Sequence, residues 1–222
     1  MAEQYEIPLF PLNTVLFPGM ILPLRIFEER YKLMLKQCIA DSKPFGVVLL
    51  KTGQAEGAFS GEIYSIGTTA QITQVNTLAD DTYNILTLGV KRFRLIETYQ
   101  THPYLSAIVE DYPLTNGTAP EAVSGSLRLL HLIERYLEAF RKIGKLPFRI
   151  DQVPKDPITL AFLTAIMLPV SNDDKQSLLS VVDIPELLRE EFRLMRYETH
   201  MTRILADEPQ APTHPTSSFS LN

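Results

Sequence analysis

The sequence predicts an α+β protein in which a small closed β-sheet with one early helix precedes a bundle of four helices. Two observations support this prediction. Before residue 111, short apolar runs alternate with turn-forming residues, which is typical of the strands of a small barrel. Beyond NGTAPE (116–121), apolar residues recur at helical spacing until about residue 206. We therefore expect a strand-rich region over 1–115, a helical region over 120–206 and a disordered tail rich in Pro, Ser and Thr over 207–222.

The opening segment, IPLFPLNTVLFPGMILPLRIFEERY (7–31), sets four prolines among apolar residues. Proline lacks a backbone donor, so it suits edge strands, strand starts and turns. We predict two short extended segments joined by a turn at Pro18-Gly19, with prolines at edges and turns and the apolar residues in the core of the closed sheet. Leu16 and Leu24 should then be largely buried.

The spacing of apolar residues becomes helical after this segment and predicts the early helix, which ends near DSKP (41–44). Its apolar face comprises Phe27, Tyr31, Met34, Leu35, Cys38 and Ile39. Cys38 lies on this face, so we interpret it as a small core residue and not as a reactive thiol. A single cysteine also excludes an intrachain disulfide and any multi-cysteine metal site.

Five further segments have the composition of strands. They are FGVVLLK (45–51), IGTTAQITQV (66–75), TYNILTLGV (82–90), KRFRLIET (91–98) and PYLSAIVE (103–110). Gly89 suits a bulge or sharp bend between the third and fourth of them. The charged residues Lys91, Arg92 and Arg94 surround Phe93, and we predict outward-facing charges beside a buried ring.

Four helices follow. The first carries Leu129, Ile133, Tyr136, Leu137 and Phe140 on one face and ends by Gly144. The second, ITLAFLTAIML (158–168), is apolar on every side, which predicts burial. The third begins with N-cap residues at SND (171–173), and the last begins with Asp183 and Glu186 at capping-box spacing.

Composition and charge exclude several classes of protein. The net charge of −5 disfavours nucleic-acid binding, which depends on clustered Lys and Arg. The N-terminus lacks the pattern of a signal peptide, and the longest apolar run (158–170) is shorter than the roughly 20 residues of a membrane span. The four histidines are scattered and form no metal-ligand motif. We expect a cytoplasmic protein without membrane segment, metal or cofactor, and its oligomeric state stays open.

The segment PLFPLNTVLFPGMILPLRIFEERYKLML (8–35) resembles the opening of the substrate-binding domain of ATP-dependent Lon proteases. FGVVLLK, IGTTAQITQV, ILTLGVKRFRLIE and PYLSAIVE then follow in the order of that family. The resemblance implies a PUA-like β-barrel followed by a helical bundle, and a role in capturing unfolded or tagged polypeptides. It is specific over the first hundred residues and weaker in the helices.

Lon proteases continue into an ATPase module and a Ser–Lys protease domain, and this sequence carries neither signature. It contains no GxxxxGK[ST] phosphate loop. PKDP (154–157) resembles the start of the Lon catalytic serine motif but has no serine after it, so we interpret it as a turn. GAFSG (57–61) lacks the central serine of a nucleophile elbow. We predict a non-enzymatic module that binds unfolded or extended polypeptides, alone or with a separate protease. An RNA-binding PUA-like protein is the alternative.

No catalytic, cofactor or metal residue is predicted, and two groups are candidates for binding. In the first, Phe17 and Met20 flank the turn, where they either contact a polypeptide or pack in the core. Arg25, Glu29 and Arg30 lie near the start of the early helix, where we expect protein contacts. The second group is a cationic stripe on the last helix, either a solvated or salt-bridged face or a docking surface for an acidic partner or nucleic acid. It comprises Arg189, Arg193, Arg196, His200 and Arg203.

Overall fold

A computed structural model describes residues 3–52, 61–79, 81–142 and 153–207 of the chain. These residues form seven strands and five helices, which confirms the α+β class and the single early helix. The elements are β1 (Gln4–Leu12), β2 (Ile21–Ile26), α1 (Glu29–Ala40), β3 (Phe45–Thr52), β4 (Glu62–Ile63), β5 (Ile66–Thr77), β6 (Tyr83–Tyr99), β7 (Ser106–Asp111), α2 (Pro120–Lys142), α3 (Pro157–Met167), α4 (Asn172–Ser180) and α5 (Ile184–Asp207). The tail predicted to be disordered lies outside the described residues from 208 onward, as does most of GAFSG.

The strand pairings form a closed cycle. β1 pairs with β7, and the path continues through β6, β5 and β3 before β3 pairs with β1 again. The β1–β3 pair is parallel, whereas the other pairs of the cycle are antiparallel. β2 adds to β6 and β4 adds to β3, outside the cycle. Closure pairs both sides of most strands of the cycle, as predicted from the many short strands, and leaves β2 outside it.

The four opening prolines occupy two kinds of position. Pro18 and Gly19 form a turn closed by a 3.0 Å hydrogen bond from Met20 N to Phe17 O, and the φ of 82° at Gly19 is typical of a type II turn. Pro23 lies in β2, which pairs with β6 alone among the described strands. Pro18 in a turn and Pro23 in an edge strand therefore agree with the prediction.

The other two prolines lie within the closed cycle, where the edge prediction is wrong. Pro8 is the last residue of β1 paired with β7, and Pro11 lies in the half that pairs with β3. Because β1 exchanges one partner for the other after Pro8, each half of the strand needs ladder donors on one side only. A missing N–H is tolerated under that condition.

A bulge at Gly89 lets β6 continue as one strand, although the sequence predicted two strands meeting there. Thr68 pairs with Arg92 and Ala70 with Gly89. An advance of two residues along β5 thus corresponds to three residues along β6. The predicted bulge is confirmed, and the predicted break is wrong because a bulge adds a residue without ending the ladder. A Cβ at Gly89 would lie 2.2 Å from Phe17 O. Only glycine therefore allows the backbone before the Pro18-Gly19 turn to pack this closely against β6.

The apolar face of α1 is narrower than predicted. Tyr31, Met34, Leu35 and Cys38 are buried in one cluster with Leu16, Phe45 and Ile85. Phe27 is 50% exposed because it precedes the helix, which begins at Glu29, and Ile39 near the other end is 47% exposed. Burial of Leu16 is confirmed, whereas Leu24 is only half-buried on β2.

Burial also accounts for the chemistry of Cys38. The pKa of its thiol is raised to about 11, chiefly by desolvation, so the thiol is protonated at neutral pH. The interpretation of Cys38 as a core residue is confirmed.

Each of the three C-terminal helices begins with an N-cap side chain. Asp156, Ser171 and Asp183 accept hydrogen bonds from the backbone N–H three residues later, at 2.9, 3.1 and 3.2 Å. The caps predicted at SND and at Asp183 are confirmed. PKDP thus provides the N-terminal cap of α3 through Asp156.

One hydrophobic cluster joins the strands to the helices. It contains Val15, Phe17, Leu49 and Ile66 from the strand region together with the buried faces of α2, α3, α4 and α5. The division of the chain at 115–120 stays a prediction. Every helix in the described ranges is too short or too polar to cross a membrane.

Candidate functional site

The candidate site is built on β2, which has an open edge. In the part of the chain that the structure describes, β2 pairs with β6 alone. Just before the strand, Met20 O accepts a hydrogen bond from Gly89 N at 2.9 Å. Backbone groups alternate sides in an antiparallel pair, so the N–H and C=O groups of Ile21 and Arg25 point to the open edge. Pro23 lies at the intervening open-edge position, where its missing N–H breaks no bond to β6.

Alternate side chains of β2, β6 and β5 form one outer face beside this edge. Ile21 lies opposite Leu88, and the two are 64% and 37% exposed. Arg25 lies opposite Asn84, which in turn lies opposite Asn76, and all three are exposed. A cleft of about 490 Å³, lined by all three strands, lies at this polar end. The face therefore offers apolar contacts at one end and amide and guanidinium donors at the other.

The candidates at the turn differ in exposure. Phe17 is 1% exposed and packs in the core, so it offers no surface to a partner. Met20 is half-buried at the start of β2, and Arg25 is exposed on the outer face. Met20 and Arg25 thus lie beside the open edge, whereas Phe17 packs in the core next to it.

The candidates at the start of α1 are held by local contacts. Arg30 Nε donates a 3.0 Å hydrogen bond to Glu28, and the guanidinium lies 4.3 Å from the centroid of the Tyr31 ring. Glu29 accepts a 2.8 Å hydrogen bond from Lys32, which lowers the pKa of Glu29. Both side chains stabilise the first turn of the helix, and Glu29 remains exposed.

The cationic stripe comes together as the helical spacing predicts. Arg189, Arg193, Arg196 and His200 are exposed on α5 and line one groove beside α2. The backbone of Arg203 continues α5, but its side chain lies outside the described part of the chain.

The prediction of three outward-facing charges on β6 is wrong for Arg92, which is buried. Lys91 and Arg94 are exposed as expected, but Arg92 is only 3% exposed. Its Nη1 donates to Leu179 O at 2.6 Å and to Val181 O at 2.5 Å, at the C-terminal end of α4. Strand alternation does direct Arg92 out of the closed sheet, but α4 covers that position. No local signal predicts this, because the partners lie 87 and 89 residues away along the chain.

Aromatic rings complete the surroundings of the Arg92 guanidinium. Tyr112 and Phe162 place ring centroids 5.0 and 6.0 Å from it. Burial lowers the pKa of Arg92 to about 10, which still leaves the side chain charged at neutral pH. Arg92 therefore acts as a charged link between β6 and α4.

Glu191 is a second buried ionisable residue that the sequence did not reveal. It lies on the inner face of α5, and neither carboxylate oxygen has a hydrogen-bond partner among the described residues. Burial raises the pKa of Glu191 well above its usual range. Elsewhere in the described ranges, no three His, Cys, Asp or Glu side chains lie close enough together to hold a metal ion.

Comparison with known proteins identifies the family. The ATP-dependent protease La (LON) substrate-binding domain matches residues 6–196. Lon protease 2 of Myxococcus xanthus is 27% identical over 202 residues, which are 89% of this chain and 24% of that protein. Lon protease of Flavobacterium johnsoniae is 28% identical over 207 residues, 91% of this chain and 25% of that protein. This chain thus spans about a quarter of the length of these relatives.

Solved structures agree in fold. The Lon N-terminal domain protein from Xanthomonas campestris superposes with a TM-score of 0.59 at 24% identity, covering 84% of this chain and 96% of that one. The N-terminal domain of Mycobacterium avium complex Lon protease gives a TM-score of 0.63 at 20% identity, covering 86% and 98%. With the family match over most of its length, the chain belongs to the family of Lon substrate-binding domains.

Proposed function

We propose that this chain binds unfolded or extended polypeptides along the open edge of β2. The observation that carries the proposal is a strand edge that has no partner strand among the described residues, together with the exposed apolar side chains of Ile21 and Leu88 beside it. An extended polypeptide adds to such an edge through main-chain hydrogen bonds that are independent of its sequence. Membership of the Lon substrate-binding family supports a polypeptide as the ligand.

The two ends of the outer face give the site its selectivity. Ile21 and Leu88 favour segments with exposed apolar residues, which folded proteins mostly bury. Arg25 and Asn84 supply donors for carbonyl or carboxylate groups of the same segment. Folded proteins also protect their strand edges, so they present few extended segments free to pair. The site therefore distinguishes unfolded from folded polypeptides.

The proposed role is to hold polypeptides and not to cleave them. The family match is to the substrate-binding part of Lon, and the sequence has no nucleotide phosphate loop. A serine-reactive activity probe should leave the chain unlabelled. We further propose that held polypeptides pass to a separate protease, which should then co-purify with the chain from its native source.

The test compares two substitutions at one position of the open edge. The probe is a fluorescently labelled protein kept unfolded by reduction and carboxymethylation, with its native form as the control ligand. Ile21→Ala removes apolar contact and should weaken binding about fivefold, as expected for about 1 kcal/mol. Ile21→Pro also removes the outward N–H and should weaken binding about fivefold more.

Circular dichroism and melting temperature first establish that both variants fold as the unsubstituted chain does. Equal affinities for Ile21→Ala and Ile21→Pro would show that main-chain pairing at this edge contributes nothing. Equal affinity for the native and unfolded forms of the probe would refute the proposed ligand class.

A further inference from the structure

A second surface lies between α2 and α5, away from the open strand edge. The groove there has a volume of about 1010 Å³. Its basic side chains are Arg135 from α2 and Arg189, Arg193, Arg196 and His200 from α5. The chain carries a net charge of −5, so this concentration of cations is a local exception to its overall composition.

These cations have few partners of their own. Arg193 Nε contacts Glu190 at 3.0 Å in an exposed pair, which contributes little to stability. In the described ranges, no ion pair involves Arg135, Arg189 or Arg196. Salt bridges, one form of the first alternative for the stripe, therefore account for one arginine only among the side chains that the structure describes.

The same groove contains apolar side chains. Phe192 is half-buried between the basic residues, and Tyr197 is 63% exposed beside them. Leu132 of α2 is buried beneath and closes the groove from the other helix. Arginine forms bidentate hydrogen bonds with carboxylates, and aromatic rings favour contact with large apolar side chains.

We propose that the α2–α5 groove docks an acidic polypeptide segment that also carries a large apolar side chain. The stripe from Arg189 to His200 spans about 16 Å, at 1.5 Å per residue, which equals three turns of a helix laid along the groove. Carboxylates on such a segment pair with the arginines, and its apolar residue contacts Phe192 and Tyr197.

A nucleic acid fits these observations less well. Nucleic-acid affinity depends on neutralising many phosphates over a broad basic surface, and the remainder of this chain is acidic. The apolar floor at Leu132 and Phe192 suits a side chain inserted between two helices. The proposed occupant is therefore a protein segment, independent of the polypeptide proposed for β2 because the two surfaces share no residue.

The test measures fluorescence anisotropy of a labelled 15-residue peptide rich in Glu with two Leu and one Phe, using the full chain. The matched ligand replaces every Glu by Gln. Arg193→Glu with Arg196→Glu should weaken binding of the acidic peptide by about a hundredfold, tenfold per charge reversed. The control is the double variant Lys36→Glu with Lys43→Glu, which changes exposed residues of α1 and of the loop after it. It should change the affinity for the acidic peptide less than threefold.

Saturable binding of the Glu peptide that exceeds the Gln peptide and is lost only in the groove variant supports the proposal. Equal binding by the groove variant and the control variant would overturn it, as would no binding at low salt. Tighter binding of a 15-nucleotide RNA would assign the groove to nucleic acid. Self-association of the chain that the groove variant abolishes would assign it to a second copy. Ile21→Pro leaves the groove intact, so failure at one surface is distinguishable from failure at the other.

Discussion

Removing the buried guanidinium of Arg92 should separate the contribution of tertiary hydrogen bonds from that of local structure. Arg92→Met keeps the length and apolar stem of the side chain and leaves the carbonyls of Leu179 and Val181 without their donor. Both carbonyls belong to the end of α4, whose last carbonyl groups have no partner within the helix. We therefore expect the variant to loosen α4 from β6.

Two opposing effects set the magnitude. A hydrogen bond from a charged donor contributes about 1.5–3 kcal/mol to the free energy of unfolding, and Arg92 makes two. Its guanidinium is 3% exposed, so methionine also relieves the cost of burying a charge and offsets part of this loss. The net decrease in the free energy of unfolding should be about 2–4 kcal/mol.

Equilibrium denaturation in urea measures this difference, with circular dichroism following the helices. Tyrosine fluorescence serves as the second probe because the chain has no tryptophan. Arg94→Met is the matched control, since the exposed Arg94 lies two residues along the same strand and pairs with the half-buried Glu110. The control should change the free energy of unfolding by less than about 1 kcal/mol. Arg92→Lys should fall between the two, because one ammonium nitrogen can donate to both carbonyls as Nη1 does, but it is more strongly hydrated than a guanidinium and costs more to bury.

A free energy of unfolding for Arg92→Met within about 0.5 kcal/mol of that for Arg94→Met would refute this reasoning. It would mean that solvent replaces the guanidinium at both carbonyls. Separate transitions by the two probes would instead indicate that α4 detaches before the sheet unfolds.

Four further substitutions test the packing of the fold. Leu16→Ala should lower the free energy of unfolding by about 2–5 kcal/mol and Leu24→Ala by about 1 kcal/mol, since only Leu16 is fully buried; equal losses would contradict the assigned burial. Gly89→Ala should cost about 1–3 kcal/mol because its Cβ would meet Phe17 O, and an unchanged melting temperature would contradict that contact. Glu191→Leu should raise the free energy of unfolding at neutral pH by about 1–3 kcal/mol. The folded chain keeps the Glu191 proton that the unfolded chain releases above the ordinary pKa of 4.5, so the advantage of leucine should grow between pH 5 and pH 8. A difference independent of pH would show that Glu191 titrates normally in the folded chain.

Local rules account for the parts of the fold that the sequence predicted correctly. The turn at Pro18-Gly19 and the caps at Ser171 and Asp183 depend on residues within about four positions of each other. Backbone conformation and short-range hydrogen bonds decide such features, and residue type at a fixed spacing reveals both. The helical spacing likewise brought the stripe of α5 onto one groove.

The candidate site was predicted only in part, because exposure depends on distant segments. Phe17 and Met20 are close neighbours in sequence, yet Phe17 is fully buried in a cluster that includes all four C-terminal helices, whereas Met20 is half-buried at the margin of that cluster, next to the open edge. The open edge itself follows from the pairing of β2 with β6, about sixty residues away. Neither fact leaves a pattern in the segment 7–31.

From the sequence alone we could derive the α+β class, the five helices in their order, the local caps and turns and, through the resemblance, the family, but not the bounds of every strand. Only the tertiary structure decided which faces are covered. Strand alternation predicts that Arg92 is exposed, but it is buried because α4 packs over it. Glu191 is a polar residue, but it is buried because it lies on the inner face of α5. The physical reason is that hydrophobic periodicity and secondary-structure propensity are properties of one element. Burial depends on the contact between two elements that are far apart in the sequence.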